Sequence, residues 1–252
     1  MSEGLGSAYS RAVYDQQGMI ATWFPDRVLR VGDVISRSKH SGSITVEASI
    51  GDLTENPLPG MTSTSGPKRI TFQRGASLKV AMSAEMVPSV TMMPTVDAEI
   101  TFSEASSFVF VGSDGSSVAY DQLQLVRKSV LDLAQRGRWR DEWQLVTSVR
   151  TFKRCLLLIA RESGSVARVS MESANGPATL ESVKTSLGAS ITRGAAAKWE
   201  LKSCTPLYEG LTLRWRTWSG PEVSDRYLDR PAATGEAEAI VVRVDPVGVG
   251  LN

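Results

Sequence analysis

The chain has 252 residues, enough to bury a substantial core, and we expect one large domain or a domain with a small appendage. Its 28 lysines and arginines balance 27 acidic residues, so net charge gives no general attraction to nucleic acid or to an anionic membrane. The two cysteines, Cys155 and Cys204, do not make a disulfide framework, and a reducing compartment is the simpler expectation.

No stretch approaches the roughly 18 apolar residues that indicate a membrane helix. The first residues are polar and contain no apolar signal core, so we expect synthesis as a soluble cytoplasmic protein. Any membrane role would then need β-hairpins, or a surface-bound state, formed after synthesis.

The first quarter of the chain is a polar segment followed by short strands. Residues 1–17 show no clear period and should form a flexible arm or a short helix. A short apolar run predicts a strand at 19–24, and alternating apolar residues predict strands at 27–35 and 43–50. Prolines and glycines predict a loop over 56–67.

The central stretch, residues 68–102, alternates in one long register. From Leu78 to Phe102 every even position is apolar or proline, whereas odd positions are mostly polar. A period of two indicates strand, because successive side chains point to opposite faces. The candidate membrane-inserting residues of this face are Leu78, Val80, Met82, Met86, Val90, Met92, Val96, Ile100 and Phe102.

This stretch is too long for one strand, so we expect a hairpin whose facing positions sum to an even number. Pro88 and Pro94 lie symmetrically about Thr91 and predict the turn between them. The arms, 77–87 and 95–102, approach the roughly 9–11 residues with which a tilted strand crosses a bilayer. A membrane barrel wall has this pattern, and so does a soluble antiparallel sheet with one face on a core. The pattern alone leaves both open.

The second half of the chain predicts one main helix among strands. Apolar residues recur on one helical face from Leu123 to Ala134, which predicts a helix over about 120–136, ended by Gly137. Strands are predicted at 106–111, 144–152, 155–161, 198–201, 207–215 and 239–244. The turn GSDG should end the first of these strands, and Lys153-Arg154 should connect the next two.

A second, weaker alternating pair occupies 165–171 and 183–192, with Asn175-Gly176-Pro177 as a turn between its arms. Three of its apolar residues complete the candidate membrane-inserting set: Val183, Leu187 and Ile191.

Residues for catalysis or cofactor binding are scarce. The only histidine, His40, lies in a polar run, and Cys155 lies in an apolar strand where a thiol is usually an inert core residue. There is no Walker loop, no Cys-x-x-Cys pair and no histidine cluster. We therefore expect no enzymatic activity, no cofactor and no metal.

A basic cluster with interleaved tryptophans follows the predicted helix. Arginine and tryptophan together suit phosphate or lipid headgroups. The candidates for headgroup contact are Arg127, Lys128, Arg136, Arg138, Trp139 and Arg140. A simpler alternative is that these are helix-end charges, with Trp139 and Trp143 folded into the core; nucleic acid binding is a weaker alternative.

The order of these features resembles the pore-forming domain of gasdermins over roughly residues 20–215, in order and spacing with little identity. The matching parts are Arg30-Val31-Gly32-Asp33-Val34, the amphipathic regions 68–102 and 165–192, the helix at 120–136, and the strands at 144–152, 155–161 and 207–215. The resemblance implies an α+β fold with a long, twisted, mainly antiparallel sheet and one main helix. It also implies two hairpins that stay folded on the domain until activation, and then extend as membrane strands of an oligomeric barrel.

The implied protein is a cytoplasmic effector of cell death or antiviral defence that moves to the inner face of the cell membrane. Its partners would be an anionic lipid membrane, further copies of itself and an activating protease; nucleic acid is not expected. Residues 219–252, behind a pore-forming-like domain at 1–218, resemble the short inhibitory tail of bacterial members. An ordinary C-terminal edge strand is the alternative for this tail.

Two departures from the family weaken the match. The large inhibitory C-terminal domain of animal members has no counterpart here. The acylated N-terminal cysteine of some bacterial members is also missing, which leaves membrane targeting unexplained. The alternative function is a soluble, β-rich binding or assembly module without membrane insertion.

Overall fold

The computed structural model describes residues 5–23, 26–38, 41–80, 96–171, 179–180, 183, 189–217 and 237–244. Within them the fold is α+β, with antiparallel strands in two sheets and few helices, which confirms the predicted class. The helices are α1 (Leu5–Gln17), α2 (Ile50–Leu53) and α3 (Leu123–Gln135). The strands are β1 (Ile20–Ala21), β2 (Asp33–Arg37), β3 (Ile44–Ser49), β4 (Met61–Ser65), β5 (Arg69–Arg74), β6 (Ala76–Val80), β7 (Val96–Phe102), β8 (Phe108–Tyr120), β9 (Trp143–Ala160), β10 (Val166–Met171), β11 (Ser190–Arg193), β12 (Ala196–Thr217) and β13 (Ala237–Arg243).

Three long strands, β8, β9 and β12, form the centre of the larger sheet, sheet A. Strand β9 lies between the other two, and its last six residues, Cys155–Ala160, are buried throughout, as expected for a continuous apolar run in a central strand. Strands β4 and β5 pair with successive halves of β8, and β1 and β13 pair with β12. Strand β2 joins the start of β9 and carries β3.

The two amphipathic regions of the sequence form a second sheet, sheet B, in the order β6-β7-β10-β11. Leu78 faces Ile100, so facing positions sum to an even number as predicted, although the register is centred on position 89 instead of Thr91. Strand β10 pairs with β7 and thereby joins the two regions edge to edge. The predicted turns, in 81–95 and 172–178, lie outside the described residues.

The two faces of sheet A are covered by different elements. On one face, α1 packs on a cluster that includes Phe72, Phe108, Phe110 and Phe152. Alternate residues of a strand point to opposite faces, so Val109 and Val111 lie on the other face. There they contact sheet B through Ala98, Ile100 and Phe102. Helix α3 packs near the beginning of β9, on Trp143 and Leu145.

Halfway along the central strands of sheet A, the alternation of side chains between the two faces of the sheet is interrupted. Phe152 and Cys155 are three residues apart yet pack in the same cluster, so β9 switches the side on which alternate residues lie. Beside this point, Asp114 on β8 and Ser203 on β12 have left-handed φ angles of 54° and 55°. Lys153 lies between them, at what we call the break in sheet A.

Three strand boundaries predicted from sequence are wrong at this break. The turn GSDG lies inside β8, Lys153-Arg154 lies inside β9, and the predicted strands 198–201 and 207–215 are one strand, β12. A strand irregularity uses the same glycine and polar residues as a loop, so the two give the same signal in sequence.

The helices match the predictions in part. Helix α3 confirms the predicted helix but begins at Leu123, because Tyr120 still belongs to β8. Residues 5–17 form α1, the short helix that was one of the two expectations for this segment; it is as long as α3 and buries Tyr9 and Val13. Strand β4 lies within the predicted loop at 56–67; all five of its residues are exposed, so no apolar alternation marks it.

Cys155 and Cys204 form a disulfide between β9 and β12, with their Cα atoms 6.8 Å apart. The expectation of two reduced thiols is therefore wrong. The pairing depends on the register of β9 with β12, where Cys155 faces Leu201 and Cys204 faces Phe152. Two cysteines separated by 49 residues carry no such information in the sequence.

Candidate functional site

Sheet B holds three of the predicted membrane-inserting residues in a single row. Leu78, Ile100 and Ile191 lie at the same level of β6, β7 and β11, with Ala167 of β10 between the last two. Ile100 and Ala167 are fully buried, and Leu78 and Ile191 pack against the same cluster while partly exposed. The face of sheet B that touches sheet A is therefore apolar in all four strands.

The neighbouring row, on the opposite face, is charged. Lys79 faces Glu99, Glu99 faces Arg168, and Arg168 faces Ser190. An Arg168 guanidinium nitrogen lies 3.5 Å from a Glu99 carboxylate oxygen, and both side chains are well exposed. The charges alternate in sign across the strands, which avoids like charges in directly facing positions. Sheet B is thus amphipathic as a whole unit.

The remaining predicted membrane-inserting residues are scattered. Phe102 is fully buried on the same face, and Val183 is fully buried and makes an isolated bridge with Met171. Val80 and Val96 lie in β6 and β7. The others lie outside the described residues: Met82, Met86, Val90, Met92 and Leu187. The second arm, predicted from residue 183, begins as a regular strand only at Ser190.

The predicted headgroup cluster keeps its cations at the surface. Lys128, Arg136, Arg138 and Arg140 are exposed. Arg127 is half-buried, and within the described part of the chain its Nε has no hydrogen-bond partner. Buried polar groups usually have such a partner, and the Nε–H group of Arg127 could donate a hydrogen bond to an anion only if the side chain turned outward.

The tryptophans of this cluster belong to the core. Trp139 is 7% exposed and packs edge to face on Trp143, with 5.6 Å between ring centroids. Both rings lie in the cluster under α3, as in the simpler of the alternatives for this segment. The Arg140 guanidinium carbon lies 5.2 Å from the Trp143 ring centroid, a cation–π contact. The hypothesis of headgroup contact therefore depends on the cationic side chains alone.

The two candidate surfaces lie towards opposite ends of β9. Sheet B packs on Leu156, Leu158 and Ala160, whereas α3 packs on Trp143 and Leu145. The pairing of the two hairpin regions through β7 and β10 could not be predicted from the sequence. Their matched alternation was the available signal, but alternation defines faces and does not say which edges meet.

Three tyrosines of the core have pKa values shifted from the ordinary value. Burial raises the pKa of Tyr9 and of Tyr208, and for Tyr208 the nearby Arg37 opposes the rise. Burial, followed by the negative charge of Asp33, raises the pKa of Tyr120. All three rings lie in hydrophobic clusters, which indicates packing roles.

The described residues contain no group of three or more histidine, cysteine or acidic side chains placed to hold a metal ion. Among the helices of the described segments, none has the length and apolar character to cross a bilayer. His40 lies outside the described residues.

No protein-family model matches the sequence, and no curated protein matches it significantly. Function must therefore be inferred from the surfaces of this molecule itself.

Proposed function

We propose that this protein permeabilises membranes in the manner of a gasdermin, by inserting the hairpins of sheet B as strands of an oligomeric barrel. The observation that supports this best is the union of both amphipathic regions in one sheet, apolar on one face and charged on the other. Adjacent strands with one apolar and one polar face are the unit of a membrane barrel wall.

Insertion would keep the apolar face of sheet B away from water in both states. In the folded protein this face contacts Val109, Val111 and Leu156 of sheet A, and in the inserted state it would contact lipid. The outer strands of sheet B, β6 and β11, would need strands of neighbouring copies, because unpaired backbone groups have no water partners in lipid. Insertion is therefore coupled to assembly.

The C-terminal tail, residues 219–252, would act as the restraint. Strand β13 pairs with β12 from Leu211–Arg243 to Thr217–Ala237. Beyond it Val244 is buried, and its backbone N–H donates to the carbonyl of Gly210 over 2.8 Å. Proteolysis ahead of β13 would free this strand to leave and would uncover the edge of β12.

The proposal places the protein in the cytoplasm until activation, as an effector of cell death or antiviral defence. The exposed cations near α3 would make first contact with anionic lipid at the inner face of the membrane. Disulfides are uncommon in that compartment, so the domain must also fold with Cys155 and Cys204 reduced.

The test is dye release from liposomes of phosphatidylcholine and phosphatidylserine. A specific protease site placed within 219–236 allows the same protein to be assayed before and after cleavage. We expect release only after cleavage. Release before cleavage would contradict an inhibitory role for the tail but would still support pore formation.

A matched pair of variants on β6 distinguishes a defect in membrane insertion from a defect in folding. Leu78 is only partly buried, so Leu78→Asp should leave the domain folded while placing a carboxylate on the face that meets lipid. The control is Ser77→Asp, an exposed neighbour on the charged face. We expect dye release to be lost in the first variant and kept in the second, with both checked by circular dichroism. Equal release by both would contradict insertion of this face.

The soluble binding or assembly module remains the second candidate. Ala98, Ile100 and Phe102 are completely buried, as residues of an ordinary core would be. Absence of release by both the cleaved and the uncleaved protein, with both folded, would favour this function.

A further inference from the structure

A cleft of about 620 Å³ opens at the break in sheet A. Residues two apart on a strand share a face, and the break places two rows of polar side chains in the cleft wall. The first row is Lys68, Asp114, Lys153 and Ser203, and the second is Ser65, Ser116, Thr151 and Thr205. Four different parts of sheet A therefore contribute to one polar surface.

The cleft is cationic. Lys68 and Lys153 are exposed, and within the described part of the chain neither ammonium takes part in an ion pair or hydrogen bond. Asp114 is the one acidic residue of the lining. Two lysines and one carboxylate give the lining a net positive charge, which favours an anionic ligand.

The hydroxyl groups of the second row differ in their bonding. Ser116 and Thr151 bond to each other, with 2.7 Å between their oxygens. Thr205 is 1% exposed, and its Oγ1 has no hydrogen-bond partner among the described residues. Buried hydroxyls in proteins nearly always have a partner, and a rotation of the Thr205 side chain towards the cleft would let this one bond a ligand oxygen.

The rim of the cleft is partly apolar. Val28 lines it and is 55% exposed, and Phe152 also contributes to the lining. Apolar contacts do not stabilise a bound inorganic anion, whereas a phosphate ester has both an anionic group and an organic part that could make them. Lysine is a common phosphate ligand, acting as a point charge, and hydroxyls supply the additional hydrogen bonds.

We propose that this cleft binds a phosphate monoester, carried by a small organic molecule or by a lipid headgroup. Lys68 and Lys153 pair with the phosphate, the hydroxyl of Thr205 bonds one of its oxygens, and Val28 packs on the organic part. This inference stands apart from the proposed membrane activity, since it uses neither sheet B nor the tail.

The first test is calorimetric titration of the full chain with glycerol 3-phosphate and with inorganic phosphate. We expect the double variant Lys68→Met with Lys153→Met to weaken binding about tenfold or more, because both cationic partners are lost. Thr205→Val, of similar shape, should weaken binding by a factor of about three to ten. The control Arg74→Met removes an exposed cation at the end of β5, outside the cleft lining, and should leave binding unchanged.

A variant that is expected to bind more tightly tests the cleft in a way that misfolding cannot imitate, because misfolding would only weaken binding. Asp114→Asn removes the one carboxylate of the lining, and asparagine tolerates the left-handed φ at this position. We expect glycerol 3-phosphate to bind a few-fold more tightly. No detectable binding by the wild type, or binding that is insensitive to both the lysine pair and Asp114, would overturn the proposal.

The source of the phosphate is decided with vesicles of phosphatidylcholine with and without phosphatidic acid. If a lipid headgroup fills the cleft, the lysine double variant loses binding to the vesicles that contain phosphatidic acid, while Arg74→Met keeps it. If a free ester fills the cleft, the double variant loses glycerol 3-phosphate and binds vesicles like the wild type. Dye release is measured in parallel, so failure of the pore proposal is seen separately.

Discussion

The two faces of sheet A are packed with different types of side chain. Under α1, aromatic rings interlock: Phe110 stacks on Phe72 at 4.4 Å between centroids, and Phe108 meets Tyr9 edge to face at 5.0 Å. The Cys155–Cys204 disulfide lies in the same cluster. Under sheet B the contact consists of alanine, valine, leucine, isoleucine and Met171, with Phe102 as its one buried aromatic ring in the described residues.

This difference indicates which layer is held more firmly. Aromatic pairs add about 0.5–1.5 kcal/mol each beyond the area that they bury, and a disulfide restricts the unfolded chain. Small aliphatic side chains give only the burial of their own surface. Sheet B should therefore be the layer that separates first from sheet A, which is what a hairpin that leaves the domain requires.

The largest effect is expected from Phe110→Ala. It removes a ring that stacks on Phe72 and meets Phe152, and we expect a loss of about 3–5 kcal/mol in the free energy of unfolding, measured in urea. The matched variant is Val111→Ala, the next residue on β8 but on the sheet B side, where about 1–2 kcal/mol should be lost. Equal losses would mean that the two faces do not differ.

Reduction of the disulfide should come next. Cys155 and Cys204 close a loop of 49 residues that includes β10 and β11, so reduction should lower the unfolding free energy by about 2–4 kcal/mol. The measurement is urea unfolding with and without dithiothreitol. The control is the double variant Cys155→Ser with Cys204→Ser, which should not respond to the reductant. A wild type equally indifferent to reductant would show that the α1 face gains nothing from the bond.

The sequence predicted the faces of this fold better than its connections. Alternation from Leu78 to Phe102 correctly identified Ala98, Ile100 and Phe102 as one buried face, because burial on one side selects apolar residues at every second position. It could not show that β7 would pair with β10, since edge pairing uses backbone groups that all residues share.

The cleft could not be predicted from the sequence for a related reason. Lys153 and Arg154 separate an alternating segment from the apolar run at 155–160, and such a polar pair predicts a connection between two strands. Only the registers of β8 and β12 with β9 reveal that Asp114 and Ser203 flank Lys153. Likewise Trp139 stands between arginines in the sequence, yet the packing of α3 buries it. Residue type indicated where polar groups occur, while long-range register determined which of them meet.

A smaller and more local effect is expected from Ile100→Val. Ile100 lies at the centre of the apolar row of sheet B and is fully buried, so losing one methyl group should cost about 1 kcal/mol. In hydrogen exchange the loss of protection should be confined to β6, β7 and β10, because local opening follows cooperative units. Equal loss of protection in Cys155–Ala160 would show that the two layers open together.

The smallest effect on stability is expected from Glu99→Gln. The Arg168–Glu99 pair is separated by 3.5 Å, with 51% and 39% of the two side chains exposed, so solvent screening should keep the change within about 0.5 kcal/mol. In the proposed pore, however, this face lines the lumen, and the variant would leave Lys79 and Arg168 unbalanced. We expect dye release to persist after cleavage of the tail, while reversal potentials in planar bilayers shift towards anion selectivity. Loss of dye release with an unchanged unfolding free energy would place Glu99 against lipid or another copy and would contradict the assignment of the charged face to the lumen.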